Sequence, residues 1–213
     1  MIFIFVPYYH EPEQEFLDCL DRQTVKFKLI KYNRKAHKDL WTHALNFFVS
    51  ELKRYRGITD NDVACFMNCD ITFGDTLVEE GSRVRTGEIL IPEGCQVTID
   101  WAKKKFYEGD RIDSFIGRCV FMKVNDLIKT GGFCKLLPHY LSDIEFGIRV
   151  IKQGFRVKIM NQSITHEEHD RSAPLFSLRA VNNPVLWTIF LLRAGINRYL
   201  PLNILKSWYI KNK

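Results

Sequence analysis

The sequence predicts an α/β fold, in which a mostly parallel central sheet is flanked by helices and followed by a helical tail. Short apolar runs alternate with amphipathic segments through the first half of the chain, as in a doubly wound sheet. The 213 residues are 46% hydrophobic and 26% charged, which is enough for one sizeable core. Residues 173–213 contain no acidic side chain, which marks them as a separate segment.

The first half of the chain shows the alternation of strands and helices. The β-branched and aromatic run 2–7 ends in a proline and predicts a buried strand. Residues 37–55 place apolar side chains on one helical face and include Asn46. The other predicted elements here are a helix at 11–23, a strand at 26–32, a buried strand at 62–68 and a helix at 74–84.

The second half predicts a more mixed arrangement. Ser142 and Glu145 match an S-x-x-E capping box and Gly154 a stop signal, so they predict a helix over 142–154. The other predicted elements are strands at 87–92, 95–101, 115–124 and 155–160 and a short helix near 124–130.

Composition excludes several classes of protein. The six cysteines form no CxxC pair, so a zinc or disulfide framework is not expected and a reducing compartment is. The apolar start is too short for a signal peptide, and no apolar run reaches the roughly 18–20 residues of a membrane span. We therefore expect a soluble, cytoplasmic protein, or one that lies on a membrane surface.

The net charge of +6 lies entirely in residues 173–213, while residues 1–172 are neutral. This distribution argues against a nucleic-acid binder, whose main domain should be basic. The tail mixes bulky apolar and basic residues, including Trp187, Trp208 and Tyr209. It could lie on the anionic cytoplasmic face of the inner membrane, pack on the main domain, or form a homodimer contact.

Polar side chains follow the predicted buried strand 62–68. Asn68 and Asp70 are oxygen ligands suited to Mg²⁺ or Mn²⁺, at the strand edge where open α/β sheets bind ligands. The other interpretation is that Asp70 caps the next turn and Asn68 satisfies loop backbone. Asp143 and Glu145 likewise could interact with a helix dipole, or one of them could be a general base.

The segment "THEEHD" at 165–170 lacks the zinc-protease spacing, but His166 remains a candidate single ligand. The order of the motifs is more specific than any one of them. A strand ending in Pro-Tyr-Tyr is followed by a helix with Asn46, a strand ending in N-x-D, "TGGF" at 130–133, "LPHYLSDIEFGIRVIKQGFRV" at 137–157 and His166. Over about residues 2–170 this resembles the family 2 glycosyltransferases, inverting enzymes of the GT-A fold, of bacterial surface-polysaccharide type.

The resemblance implies a role for each matching residue. Asp143 would be the catalytic base, and Asp70 and His166 would serve at the metal, Mn²⁺ or Mg²⁺. The residues implied to bind the nucleotide-sugar or line its cleft are Pro7, Tyr8, Glu11, Asn33, Asn68, Gly117 and Arg118. Residues 1–172 would form the catalytic domain, and 173–213 the basic, apolar tail.

The sequence departs from the family pattern in two places. Tyr32 and Asn33 stand where an Asp near the end of the second strand usually helps to hold the base of the nucleotide. Asn68 stands in place of the first Asp of the metal motif. The resemblance implies transfer of a sugar from a UDP-, dTDP- or GDP-linked donor to a glycan or lipid-linked acceptor, in lipopolysaccharide, capsule or exopolysaccharide synthesis. One alternative is a non-catalytic assembly subunit of the same fold. A sugar nucleotidyltransferase is a less favoured alternative, because no glycine-rich phosphate loop follows the first strand.

Overall fold

A computed structural model describes residues 1–38, 40–100, 105–107, 111–137, 139–166 and 184–195. The strands are β1 Ile2–Tyr8, β2 Lys28–Asn33, β3 Val63–Met67, β4 Ile71–Phe73, β5 Glu88–Glu93, β6 Gln96–Asp100, β7 Lys105–Tyr107, β8 Ser114–Phe115, β9 Cys119–Lys123 and β10 Arg156–His166. The helices are α1 Gln14–Asp21, α2 Arg34–His37, α3 Trp41–Arg54, α4 Leu77–Ser82, α5 Val124–Lys129, α6 His139–Lys152 and α7 Pro184–Arg193.

The central sheet has the order β2-β1-β3-β9-β5-β10-β4. β1 pairs in parallel with both β2 and β3, and β10 pairs in parallel with β5. β9 is antiparallel to β3 and to β5, so β5 runs in the same direction as β3. The carboxyl ends of β1, β2, β3, β5 and β10 therefore meet at one edge, which confirms the predicted, mostly parallel α/β sheet.

Alternation along the strands divides the core between the two faces of this sheet. Phe3 and Phe5 point to the face covered by α3 and α5, whereas Ile4 and Val6 point to the face covered by α1 and α4. All four side chains are almost completely buried. A strand that is apolar at every position is what a sheet covered on both faces requires.

β1 does not stop at its proline. Pro7 pairs with Tyr32 of β2, and the pairing with β3 extends only to Phe5 and Phe66. Because Pro7 is beyond the last residue paired with β3, its missing N–H breaks no hydrogen bond on that side.

The predicted helix over 37–55 is divided: most of it forms α3, and only His37 belongs to α2, a short helix that begins at Arg34. Lys38 adopts a left-handed conformation with φ 53°, so the short α2 ends there and α3 begins afresh at Trp41. The predicted strand over 115–124 is also divided, because Gly117 and Arg118 form a turn between β8 and β9.

The predicted capping box at Ser142 is wrong. α6 begins at His139, so Ser142 and Glu145 lie inside the helix and both are fully buried. Glu145 does not reach back to the helix start, because it accepts a hydrogen bond from Arg149 one turn later, at 2.8 Å. An i,i+4 carboxylate–guanidinium pair has therefore taken the place of the predicted cap.

The described part of the tail packs on the main domain. Trp187, Phe190 and Leu191 of α7 join a third apolar cluster with Ile144 and Ile148 of α6. Trp187 is 1% exposed, which contradicts the assignment of that residue to a membrane interface.

Trp208, Tyr209 and the rest of 196–213 lie outside the described residues. Within the described part of the chain, none of the helices has the length and apolar character needed to cross a bilayer.

Candidate active site

Two hydrogen bonds join three separate parts of the chain at the carboxyl edge of the sheet. The N–H of Asn68, directly after β3, donates to the carbonyl of Arg118 at 2.8 Å. In the same turn, the N–H of Gly117 donates to Oδ2 of Asp143 on α6 at 3.0 Å. The turn between β8 and β9 thus connects the N-x-D segment to the carboxylate that the sequence suggests as a base.

Asp143 is buried, and its environment disfavours the charged form. Burial raises its pKa to about 7, although the hydrogen bonds from the Gly117 N–H and from Ser142 act in the opposite direction. Its Oδ1 atom is inaccessible and has no hydrogen-bond partner among the described residues. A carboxylate that has one engaged and one unengaged oxygen and titrates near neutrality is suited to accept a proton from a bound ligand.

The N-x-D segment, which this turn connects to Asp143, provides oxygen donors. The amide oxygen Oδ1 of Asn68 is buried without a hydrogen-bond partner in the described part of the chain, which is costly unless something binds it. Asp70 lies two residues further on and is half-buried. Hard divalent cations take oxygen ligands such as these, and Mg²⁺ often takes only one or two from protein.

His166 ends β10, and its backbone pairs with that of Ile71, the residue after Asp70. The fold therefore brings position 166 next to the N-x-D segment, although the side chain of His166 lies outside what the structure describes. Within the described residues no group of three or more His, Cys, Asp or Glu side chains is placed to hold a metal. The oxygens of Asn68 and Asp70 fit a divalent ion that completes its coordination with phosphate and water.

Cys69 lies between the two oxygen donors but is not a third one. Burial and, next, the charge of Asp70 raise the pKa of its thiol to about 11. The thiol is therefore protonated at neutral pH, and neither a thiolate ligand nor a nucleophile is available here.

The residues suggested for the nucleotide pocket lie along the same edge. Pro7 and Tyr8 end β1 and pair with Tyr32 and Asn33, which end β2. Glu11 is exposed in the segment that follows β1. The side chain of Asn33 accepts a hydrogen bond from the N–H of Ala36 at 2.9 Å, so its carbonyl oxygen caps α2. The fold thus brings these positions together and gives Asn33 a structural task that the sequence did not predict.

Sequence reasoning missed the contact that sets the position of α6 against β8. A Cβ at Gly147 would collide with the side chain of Ser114 and lie 3.0 Å from the Phe115 nitrogen. The hydroxyl of Ser114 donates to the carbonyl of Ile144 at 2.8 Å. Gly147 therefore permits a close approach that places Asp143 over the turn at Gly117. A glycine inside a helix was the available signal, since it is unfavourable there without a packing reason.

A groove of about 610 Å³ lies elsewhere, between α4 and the strands β5 and β10. None of the predicted site residues lines it. Its acidic groups have partners: Glu88 pairs with Lys158 at 2.7 Å, and Glu80 accepts from the N–H of Asn161 at 2.8 Å. These contacts explain its charged residues as structural.

No protein-family model matches the sequence, and no curated protein matches it. Solved structures do match the fold. GalNAc-T7, crystallised with UDP, GalNAc and Mn²⁺, superimposes with a TM-score of 0.58 at 9% identity over 78% of this chain. The match spans 43% of the GalNAc-T7 chain, so this chain covers less than half of that protein.

Two further structures match over most of this chain. Glucosyl-3-phosphoglycerate synthase from Mycobacterium tuberculosis, with Mg²⁺ and UDP, has a TM-score of 0.57 at 14% identity, covering 91% of this chain and 79% of its own. The catalytic domain of Drosophila β1,4-galactosyltransferase 7, with xylobiose, has a TM-score of 0.56 at 15% identity, covering 80% and 73%. The chain therefore has the GT-A fold of nucleotide-sugar glycosyltransferases, and at these identities the likeness concerns the fold alone.

Proposed function

We propose that this chain is an inverting glycosyltransferase of family 2. It transfers a sugar from a UDP-, dTDP- or GDP-linked donor to a glycan or lipid-linked acceptor, in the synthesis of bacterial surface polysaccharide. The observation that carries the proposal is the buried carboxylate of Asp143, whose Oδ1 has no partner among the described residues. It is joined to the N-x-D segment by the turn at Gly117 and Arg118.

Asp143 acts as the general base. Its Oδ1 accepts the proton of the acceptor hydroxyl while that oxygen attacks the anomeric carbon from the face opposite the diphosphate. The new glycosidic bond forms as the bond from the anomeric carbon to the diphosphate oxygen breaks, which inverts the configuration. The hydrogen bond from the Gly117 N–H holds Oδ2 and leaves Oδ1 as the unengaged oxygen.

Asp70, with Asn68 and His166, would hold Mn²⁺ or Mg²⁺. The bound ion supplies positive charge to the departing nucleoside diphosphate. Support comes from the buried, unpartnered amide oxygen of Asn68 and from the pairing that brings position 166 beside this segment. GalNAc-T7 and the synthase, which share this fold, were crystallised with UDP and Mn²⁺ or Mg²⁺.

The nucleotide lies at the carboxyl ends of β1 and β2, against Pro7, Tyr8, Glu11 and Asn33. Gly117 and Arg118 line the cleft between donor and acceptor. Support for this placement comes from the strand pairing, which puts the ends of β1 and β2 next to the N-x-D segment at one edge. Open α/β sheets bind their ligands at this edge.

The basic segment after α7 brings the enzyme, in the cytoplasm, to an anionic membrane surface that carries the acceptor. Residues 196–213 contain four basic and no acidic residues, together with Trp208 and Tyr209. Liposome co-sedimentation of the full chain and of a chain ending at Gly195 tests this, because equal pelleting would contradict it. The competing role of the same segment, a homodimer contact, would appear as a change of mass in light scattering.

Activity is tested with purified full-length protein, Mn²⁺ and UDP-, dTDP- or GDP-sugars, with release of the nucleoside diphosphate as the readout. We expect release with at least one donor, and loss of more than about 100-fold in Asp143→Asn, because a positioned base contributes roughly 10²–10⁴-fold. Full activity in that variant would contradict the role of Asp143. Donor binding by a wild-type chain that never releases the diphosphate would instead favour a non-catalytic subunit.

A further inference from the structure

The turn that precedes the catalytic helix is unusual in its backbone. Gly131 and Gly132 both adopt the left-handed region, with φ of 78° and 79°. We call residues Thr130–Phe133 the glycine turn. Two successive left-handed residues are accessible at low cost only to glycine, and a glycine pair is flexible unless other groups hold it. The contacts of this turn therefore decide its position.

Asn46 of α3 holds the end of the glycine turn from one side. Its Nδ2 donates to the carbonyl of Phe133 and its Oδ1 accepts from the N–H of Phe133, both at 2.9 Å. A Cβ on Gly132 would collide with this same Oδ1. A side-chain amide both donates and accepts in this way, which a carboxylate or an aliphatic side chain of similar size does not.

Arg149 of α6 holds the beginning of the glycine turn from the other side. Its guanidinium donates to the carbonyls of Thr130 and Gly132, at 2.6 Å each. The charge is balanced by Glu145, which is fully buried and accepts from Arg149 Nε at 2.8 Å. The glycine turn is thus fixed between α3 and α6 by two side chains, Asn46 and Arg149, that are 103 positions apart in the sequence.

The position of the turn is transmitted to α6 through an aromatic stack. Phe133, held by Asn46, stacks on Phe146 of α6 with ring centroids 4.3 Å apart and planes inclined by 24°. Phe146 is fully buried and lies three residues after Asp143, which is on the same helix. A shift of the Phe133 backbone would therefore displace the helix segment that presents Asp143 to Gly117.

From these contacts we infer that Asn46 is a positioning residue, which fixes the carboxylate of Asp143 for proton acceptance by clamping the Phe133 backbone. The inference rests on the proposed function for its consequence in catalysis. Its structural part, that the Asn46 clamp sets the environment of Asp143, can be tested without any turnover.

Two variants remove the clamp in different ways. Asn46→Asp keeps the shape but cannot donate to the Phe133 carbonyl when ionised, and Asn46→Ala removes both hydrogen bonds. We expect kcat per folded molecule to fall by about 10- to 100-fold in each, because small misplacements of a catalytic group cost that much. The dissociation constant for nucleoside diphosphate with Mn²⁺ should stay within about threefold, since those ligands bind at the strand ends.

Two matched controls lie on α3, the helix that carries Asn46. Ser50→Ala removes an exposed hydroxyl that bonds only to the Asn46 carbonyl among the contacts described, and it should leave kcat unchanged. Leu52→Val trims a buried apolar side chain of α3 and removes neither of the two hydrogen bonds of Asn46. It should lower the melting temperature without lowering kcat per folded molecule, which separates loss of stability from loss of positioning.

The readout that does not depend on activity is the titration of Asp143, followed by carboxyl ¹³C NMR and assigned with Asp143→Asn. We expect the titration midpoint of Asp143 to move by at least half a pH unit in Asn46→Ala and to stay unchanged in Ser50→Ala. An unchanged titration in both Asn46 variants, or an unchanged kcat in both, would overturn the inference. A wild-type chain without transferase activity would defeat the proposed function alone, since the titration would still report on the clamp.

Discussion

Asp143 combines three properties that rarely occur together at a residue with a purely structural role. It is buried, its pKa is raised to about 7 by that burial, and one of its oxygens has no hydrogen-bond partner among the described residues. A buried acid of this kind destabilises the protein once it is ionised. The cost makes sense if the carboxylate serves a reaction, as strained or unsatisfied groups at functional sites often do.

The first prediction concerns the pH dependence of Asp143. The folded-state pKa lies above the unfolded value of 3.8, so the folded state binds the extra proton between pH 4 and 7. Stability should therefore fall as pH rises through this window. Asp143→Asn should abolish that fall and stabilise the protein at pH 8, by up to about 4 kcal/mol at 1.36 kcal/mol per pH unit. Urea unfolding of the wild type and of Asp143→Asn at pH 4.5 and pH 8 measures this change in stability.

In wild type, kcat/KM for transfer should rise with pH and reach half of its maximum near pH 7, because the catalytic base must be unprotonated. A pH–rate profile of kcat/KM tests this directly. A flat profile between pH 5.5 and 8, or an Asp143→Asn variant that is no more stable at pH 8, would contradict the environment described for this carboxylate.

The second prediction concerns Asn68. This residue offers a neutral oxygen where a carboxylate would add a full negative charge close to the proposed cation. Asn68→Asp should therefore tighten Mn²⁺ binding by roughly tenfold, since charge count is one of the factors that set cation affinity. Isothermal titration with Mn²⁺ and nucleoside diphosphate measures the change, and Asn61→Asp on the exposed loop before β3 is the matched control. Equal affinities in the two variants would mean that Asn68 does not face the metal.

At the scale of the element, α6 is the helix on which the site depends. It carries Asp143, it packs on β8 through Gly147 and Ser114, and its Arg149 holds the turn before it. These contacts fix the helix along its length and in its rotation about its axis. A helix with this many specific contacts can hold one carboxylate in one place, which catalysis by a general base requires.

The third prediction is made for the α6–β8 contact. Gly147→Ala should destabilise the fold by about 1–3 kcal/mol, because the added methyl group overlaps the Ser114 side chain and approaches the Phe115 nitrogen. Adding Ser114→Gly should restore part of that loss by making room. Chemical denaturation of the single and double variants measures the coupling, and strictly additive effects would show that the two positions do not touch.

At the scale of the whole molecule, α7 completes the domain instead of lying apart from it. Its buried face covers α6, and Lys152 of α6 donates to the carbonyl of Gly195 at 3.1 Å and to that of Ala194. Arg193 lies 3.7 Å from the buried carboxylate of Glu145, the partner of Arg149. Residues 184–195 therefore pack on the folded unit.

The fourth prediction uses two neighbouring leucines of α7. Leu191 is 1% exposed and Leu192 is 56% exposed. Leu191→Ala should cost about 2–5 kcal/mol of stability through the cavity it leaves, whereas Leu192→Ala should change it by no more than about 0.5 kcal/mol. Thermal and urea unfolding of the two variants compares them. Similar small losses in both would mean that α7 does not pack on α6 in solution.

The sequence alone determined the buried strands of the central sheet and the position of polar groups at strand ends. Apolar runs such as Ile2–Val6 and Val63–Met67 are long enough, and β-branched or aromatic enough, to specify buried strands by local pattern. Because parallel strands end at a common edge, the pattern also indicated that Asn68 and the end of β1 would lie together.

Tertiary structure decided what local pattern leaves open. Glu145 looked like part of a helix cap, but its partner is Arg149, and the choice depends on where α6 begins relative to the glycine turn. The contacts from Asn46 to Phe133 and from Gly117 to Asp143 join residues 87 and 26 positions apart. Such pairings are set by the packing of whole elements against one another. Composition likewise left open whether the tail lies on a membrane, packs on the main domain or forms a dimer contact. Burial of Trp187 against α6 was decided by the apolar face that α6 offers it.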